Sequence, residues 1–446
     1  MDPPSLMTND SLGIRLDRTS FVPGGIITGH VFRKTPTICP DASLVLWVHG
    51  NAVSRSGASK VSFDLLYFKE HYAVLYDGPL HIAHGSGGAR WNFSITLPHR
   101  VDPRLNRGHT NRSYIPLDSR PELPASYKLQ GYRKGGAFIE YHVGARLLLK
   151  GHGITEELGA IHPFTIEPFH PGPPLVDFAV ERWRYRRSVK SRQLIPGVED
   201  AKLSLRQSFK QSFSMPKDPE FKFNFYVEVP TVTQLDGPTP IPFRMLVAPD
   251  WNETSEIIRD VPQVVKPVSI QCWVETHTQY LTEKSDVMDR VTETDLGLRH
   301  ANVHGFRRIR IPCATVWQPI DMGKKLDFRI CDETTLAFYN TQPSLTHSFC
   351  TFNIKVKHKL RWEVKCEIQG EGFTAEGISD LVIKMPSSER IVESGSPESI
   401  DAPSLGVPES TQTSDESWIR PPDEDAPPTF LEVQMEDLRA GRRSWT

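Results

Sequence analysis

Phe352-Asn-Ile-Lys-Val-Lys-His-Lys-Leu-Arg-Trp-Glu-Val-Lys-Cys-Glu-Ile368 alternates without a break. Phe352, Ile354, Val356, His358, Leu360, Trp362, Val364, Cys366 and Ile368 fall in one phase. Asn353, Lys355, Lys357, Lys359, Arg361, Glu363, Lys365 and Glu367 fall in the other. Successive side chains of a strand point to opposite faces. A period of two sustained this long predicts a strand with one face packed and one in water, as in an antiparallel sandwich.

The same period recurs on both sides of the chain's middle. Phe221, Phe223, Phe225, Val227 and Val229 alternate with Lys222, Asn224, Tyr226 and Glu228. Leu326, Phe328 and Ile330 form a shorter row. Earlier, Ile14 and Leu16 alternate with Arg15 and Asp17, and Leu44, Leu46 and Val48 with Val45, Trp47 and His49. Trp91, Phe93, Ile95 and Leu97 form another row, as do Ile139, Tyr141, Val143, Ala145, Leu147 and Leu149. Leu203–Phe213 fits either a strand or a helix, because Leu205, Phe209 and Phe213 also stand four apart. The 37 prolines and 30 glycines favour short strands and turns over long helices. The predicted class is all-β.

The segment Glu167-Pro-Phe-His-Pro-Gly-Pro-Pro174 divides two strand-rich halves. The organisation expected is a flexible 1–11, an N-domain at 12–168, a linker at 169–174, a C-domain at 175–386 and a disordered acidic tail at 387–446. The tail holds 13 acidic and 5 basic residues, net −8, while residues 1–386 hold 47 basic and 41 acidic, net +6. Rich in Ser, Pro, Asp and Glu, the tail buries too little apolar surface to offset its ordering entropy. Leu431, Met435 and Leu438 mark one short stretch that could become helical on binding.

Several function classes are disfavoured. The start, MDPPSLMTND, has neither a basic nor an apolar stretch, so no secretory signal is expected. No apolar run reaches the ~20 residues that span a bilayer. The cysteines (Cys39, Cys272, Cys313, Cys331, Cys350, Cys366) form no CxxC pair, which fits free thiols in a reducing compartment. There is no HExxH, no Gly-x-Ser-x-Gly and no Cys/His cluster at metal spacing, so no catalytic site, metal or cofactor is expected. Gly85-Ser-Gly-Gly88 lacks the Lys-Ser/Thr and the βαβ setting of a phosphate loop. His358 sits in an apolar phase and reads as a core histidine.

The order of motifs resembles the arrestin family. Ile14-Arg-Leu-Asp-Arg-Thr-Ser-Phe-Val-Pro-Gly-Gly-Ile-Ile-Thr-Gly-His-Val-Phe32 is similar to the family's opening: a strand, an aromatic, a Pro-Gly turn and a strand with an internal Gly. Pro23 presets φ for the turn, and Gly24 and Gly25 permit positive φ. Trp91–Pro98 resembles the strand that ends in Leu-Pro. Leu123-Pro-Ala-Ser-Tyr127 resembles an "LP-small-Ser-aromatic" segment, and Ile139–Val143 the strand that follows it. Phe225–Val229, Gly237, Pro240, Ile241–Val247, Ile311-Pro312, Pro343-Ser344 and Phe352–Ile368 are similar to the second domain. The likeness covers about 12–386, and the proline-rich tail suggests the α-arrestin branch, common in fungi.

The resemblance implies two tandem immunoglobulin-like sandwiches and a non-catalytic adaptor. Such proteins bind cytoplasmic tails of membrane transporters or receptors. Through PPxY motifs they bring a WW-domain HECT ubiquitin ligase, so that the cargo is endocytosed. A cytoplasmic chain with recruitment to the plasma membrane or endosomes is expected. This chain has no PPxY; its nearest match is Pro427-Pro428-Thr429-Phe430, with Phe where the motif has Tyr. WW grooves hold a polyproline helix between aromatics, and Phe430 fills that slot without a hydroxyl. The alternative implied is an arrestin-fold sorting subunit of vesicle coats or endosomes that acts without a ligase. A β-sandwich enzyme is the third reading, and it requires a pocket of convergent polar groups.

Two further candidates come from the residues themselves. Arg182, Arg184, Arg186, Arg187, Lys190 and Arg192 form the sharpest basic cluster. They suit acidic headgroups, a phosphorylated tail or the chain's own acidic tail. The competing reading is a solvated strand face with Trp183 and Tyr185 turned into the sheet. Nucleic acid is not expected, since the body's charge is small and no reader motif is present. Ser396, before Pro397 in the acidic tail, is the phosphosite candidate.

Overall fold

The computed structural model describes residues 12–57, 59–66, 72–102, 105, 114, 121–129, 135–151, 154–167, 170, 172–196, 218–283, 286–296, 309–330 and 345–389. Nearly all the regular structure among them is β-strand. The first ten strands are β1 (Leu12–Leu16), β2 (Ser20–Phe21), β3 (Ile26–Arg33), β4 (Thr37–Ser56), β5 (Ser59–Leu66), β6 (Tyr72–Ile82), β7 (Ala89–Thr96), β8 (Tyr127–Lys128), β9 (Gly135–Gly151) and β10 (Ile154–Ile166). They make a three-stranded sheet, β1-β3-β7, and a seven-stranded sheet, β2-β10-β9-β4-β5, with β6 beside β4 and β8 beside β9. Both sheets contribute to one hydrophobic cluster that includes Ile14, Ile27, Val31, Leu44, Leu46, Val143 and Leu147.

The next ten are β11 (Val180–Lys190), β12 (Glu220–Pro230), β13 (Val232–Gln234), β14 (Arg244–Pro249), β15 (Val265–Leu281), β16 (Val287–Asp295), β17 (Ile320–Asp321), β18 (Phe349–Cys350), β19 (Ile354–Ile368) and β20 (Glu371–Lys384). They form a four-stranded sheet, β11-β12-β14-β17, and a six-stranded sheet, β13-β20-β19-β15-β16, with β18 beside β19. Phe221, Phe223, Phe225, Val227, Trp362, Val364 and Ile368 join in a second cluster.

The two sets repeat one plan. β1, β3 and β7 correspond to β11, β12 and β14. The path β2-β10-β9-β4 corresponds to β13-β20-β19-β15, and β8 beside β9 to β18 beside β19. Even the rare parallel contact repeats, since β2 runs parallel to β10 and β13 parallel to β20. Among the described residues, no sheet mixes strands from both sets.

Local chemistry explains the strands. Leu44, Leu46, Val48, Val143, Ala145 and Leu147 are buried in one phase, as period-two reading requires. Glycines stand opposite large rings at five cross-strand pairs: Gly13 and Phe32, Gly29 and Phe93, Trp47 and Gly144, Gly50 and Tyr141, Trp362 and Gly377. At Gly377 a Cβ would lie 2.6 Å from Trp362 Cζ2, so the missing side chain is what lets the indole lie flat on the strand. In the first turn only Gly24 has positive φ, 78°, and the chain between β1 and β3 diverts Ser20–Phe21 to the edge of the other sheet. The Leu123–Tyr127 segment is pinned at several points. Tyr141 Oη donates to Pro124 O at 2.7 Å, and Ile166 N donates to Ser126 Oγ at 2.9 Å.

Three expectations change. Leu326, Phe328 and Ile330 do not form a strand. A single helical turn, α1 (Met322–Lys325), precedes them, and Phe328 and Ile330 are buried with isolated bonds to Ile241 N and Asp236 N instead of a ladder. The body also runs past 386: Ser387 is buried, its Oγ donates to Gly172 O at 2.6 Å, and His170 N donates to Pro386 O. The third change is at Asn353, assigned by phase to the wet face. It is wholly buried, because β19 begins one residue later and Asn353 reaches into the first set of strands. Its Nδ2 donates to Ala52 O (3.0 Å) and Ser54 Oγ (3.3 Å). Ser54 Oγ donates to Leu281 O at 2.6 Å, and Tyr127 Oη meets Thr278 Oγ1 at 2.7 Å. Tyr280, Ile354 and Val356 belong to the first hydrophobic cluster although their strands belong to the second set. Leu203–Phe213 and Pro343-Ser344 lie outside the described residues.

Candidate functional site: the basic edge strand

β11 carries most of the basic cluster and lies at the end of its sheet. It pairs only with β12, in full register from Val180 opposite Pro230 to Lys190 opposite Glu220. Its alternation sorts the cluster onto two faces with different jobs.

Trp183, Tyr185, Arg187 and Val189 turn toward the facing sheet. Trp183 Nε1 donates to Ser379 Oγ at 3.0 Å, Tyr185 Oη to Glu376 O at 2.5 Å and Arg187 Nη2 to Thr374 O at 3.0 Å. All three acceptors are on β20. That strand meets β13 only at Val382–Lys384, so the rest of its outer edge has no strand neighbour among the described residues. Side chains of β11 thus satisfy groups along an edge that would otherwise invite pairing. Trp183 and Tyr185 also meet Trp362 edge-on, at ring centroid distances of 6.2 and 6.0 Å. Burial pushes the Tyr185 phenol up to about 12, so it stays a donor at neutral pH. Arg187 belongs to this seam and not to the outer basic row; its guanidinium lies 5.5 Å from the Tyr185 ring centre.

Arg182, Arg184, Arg186 and Lys190 share the outer face. Arg182 holds Glu228 through Nε (3.0 Å) and Nη2 (2.8 Å), and its guanidinium lies 3.6 Å above the Trp317 ring. Glu228 is buried and also faces Arg244 at 3.7 Å. Arg186 bonds Glu253 and approaches Asp250 at 3.9 Å. Hydrogen bonds from Arg186 and Lys222 hold the Glu253 carboxyl below its usual range. Lys190 faces Glu220 at 3.7 Å. Beyond the strand end, Arg192 Nε bonds Asp218 at 2.7 Å. Arg184, in the middle, is different: its Nε donates to the Asn224 amide oxygen at 2.9 Å, and no carboxylate pairs with it among the described residues.

The sequence therefore located the basic row, and the structure gathers four of its six members on one face. Sequence reasoning missed Glu228, Glu253, Asn224 and Trp317, which neutralise or cover that face. For Glu228 and Asn224 the signal lay in the β11–β12 register, which alternation alone does not fix, while Glu253 and Trp317 come from chain outside the strands. Pro427, Pro428, Thr429, Phe430 and Ser396 lie outside the described residues. Gly85–Gly88 is the turn between β6 and β7, with Ser86 N donating to Ala83 O. His358 is buried, its Nδ1 at 2.9 Å from Ser348 Oγ.

No helix among the described residues is long and apolar enough to cross a membrane. No protein-family model matches the chain, and no curated protein matches it.

Proposed function

We propose that the chain is an arrestin-type adaptor: two tandem antiparallel sandwiches that bind cytoplasmic tails of membrane transporters or receptors and promote their endocytosis. The observation that carries this reading is the repeated strand order of the two sets, down to the parallel β2–β10 and β13–β20 contacts. The motif order from Ile14 to Ile368 supports it from the sequence side. So does the pinned Leu123–Tyr127 segment, whose tyrosine reaches Thr278 of the second set. The adaptor acts in the cytoplasm, at the plasma membrane or on endosomes.

In this reading a WW-domain HECT ubiquitin ligase is recruited by Pro427–Phe430. Phe430 in place of Tyr favours a second reading, sorting in vesicle or endosomal coats without a ligase. Binding of a 421–440 peptide to WW domains separates the two. Micromolar binding that Pro428→Ala abolishes supports ligase recruitment. Binding only after Phe430→Tyr supports ligase-independent sorting. For the adaptor role itself, the measurement is cargo retrieval: unchanged internalisation of every surface transporter in cells lacking the chain sinks it.

A further inference from the structure

We propose that the free edge of β11 takes an extended acidic segment of a partner protein as an added strand, with one of its carboxylates seated on Arg184. The proposal deepens the adaptor reading by naming the chemistry of a bound segment. It rests on that reading only in calling the segment cargo.

An antiparallel ladder uses the N–H and C=O groups of alternate residues on each side, so a strand with one neighbour leaves the rest facing outward. β11 runs for 11 residues with β12 on one side and no strand on the other among the described residues. Edge strands are commonly kept short or blunted. Here the inward row that could fold over an edge is committed elsewhere: Trp183, Tyr185 and Arg187 bond β20.

Charge selects the occupant. Arg182, Arg184 and Arg186 repeat every second residue, a spacing of roughly 6.5–7 Å, which is also the same-face side-chain repeat of an added strand. Acidic side chains at alternate positions of that strand meet the row in register. A second copy of β11 docked edge to edge would oppose arginine with arginine, so the row selects against self-pairing. Within the row the outer members already hold carboxylates, Glu228 for Arg182 and Glu253 for Arg186. Arg184 holds only the neutral Asn224 amide. An incoming carboxylate there gains a charge-assisted bond without displacing an internal ion pair.

The test uses the full chain and a fluorescent decapeptide of alternating threonine and glutamate, read by anisotropy. Two control peptides accompany it: one with lysine for glutamate, and one N-methylated at alternate residues so that it keeps its charge but cannot form the ladder. The expected result is binding by the acidic peptide, at least about tenfold weaker binding by the N-methylated form, and none by the lysine form. Arg184→Glu and Arg184→Gln, both on the exposed face, should weaken binding at least about tenfold with unchanged circular dichroism. Equal binding by the N-methylated peptide overturns strand addition, and indifference to Arg184→Glu overturns the seat. No binding by the acidic peptide overturns the site, and if phosphatidylserine vesicles bind instead and Arg184→Glu releases them, the row serves a membrane surface. None of these outcomes bears on cargo internalisation in cells, so the adaptor reading stands or falls separately.

Discussion

Asn353→Ala tests whether the buried polar contact between the two sets of strands contributes to stability. Asn353 is fully buried and donates to Ala52 O, Ser54 Oγ and, at 3.5 Å, Val61 O. Its Oδ1 also accepts from Thr351 Oγ1 at 3.3 Å. The backbone bond from Leu281 N to Asn353 O is unaffected by the substitution. Two good side-chain bonds at about 1 kcal/mol each, plus a buried acceptor left without its donor, give a loss of about 2–4 kcal/mol. That is a large share of a typical ~5–15 kcal/mol. Urea unfolding of the full chain, followed by tryptophan fluorescence, reads it. A cycle with Ser54→Ala isolates the pair: Ser54 Oγ keeps Leu281 O as acceptor, so the coupling should be about 1 kcal/mol. A loss within about 0.5 kcal/mol of zero, or additive single variants, would refute the reasoning.

Further predictions follow from packing and titration. Gly377→Val should destabilise by about 3 kcal/mol or more, because Trp362 is fully buried and has nowhere to move. Gly144→Val should be milder despite a nominal 2.3 Å contact, because Trp47 is partly exposed and can swing outward; equal losses in urea unfolding would contradict this. Burial lowers His347 to about 4 and, with His347 and His277 adding, His358 to about 3. Their folded values lie below the ordinary 6.5, so the unfolded chain takes up protons first. Stability should be complete above about pH 6.5 and fall toward pH 4, by up to about 1.4 kcal/mol per unit for each histidine. His347→Leu should flatten that slope, and a flat wild-type profile sinks the account. Cys272 and Cys366 are buried and their thiols pushed up by desolvation. A maleimide should therefore label them only after denaturation, as peptide mapping by mass spectrometry would reveal.

Much of the fold was legible because alternation is a local signal. The phase of Phe221–Val229 and of Ile354–Ile368 follows directly from which residues are apolar, and the inward turn of Trp183 and Tyr185 follows from the same rule. Asn353 shows where the rule stops. Phase places it in water, but the strand has not yet begun there, and its burial depends on a β4 segment some three hundred residues earlier. Phe328 and Ile330 show the converse, since apolar alternation can mark buried chain that makes single bonds instead of a ladder. At the candidate site the arginines were legible as a run. Their counter-ions were not: Glu228 and Glu253 arrive through the β11–β12 register and the turn after β14.

The pairing of β13 with β20 has a consequence for synthesis. Val232 meets Val382 across most of the second set, so that sheet remains incomplete until its last strand has left the ribosome. At roughly 5–20 residues per second, about eight to thirty seconds separate the emergence of the two strands. For most of that interval Phe221, Phe223 and Phe225 lack the Trp362 and Val364 side of their core. The first set closes earlier but still waits for Tyr280, Ile354 and Val356 to finish its cluster. Such long sequence separations slow folding and expose apolar strands to aggregation. The nascent chain is therefore a natural client for holding chaperones, and truncations before residue 384 should be retained or degraded instead of yielding a stable first half and a soluble remainder.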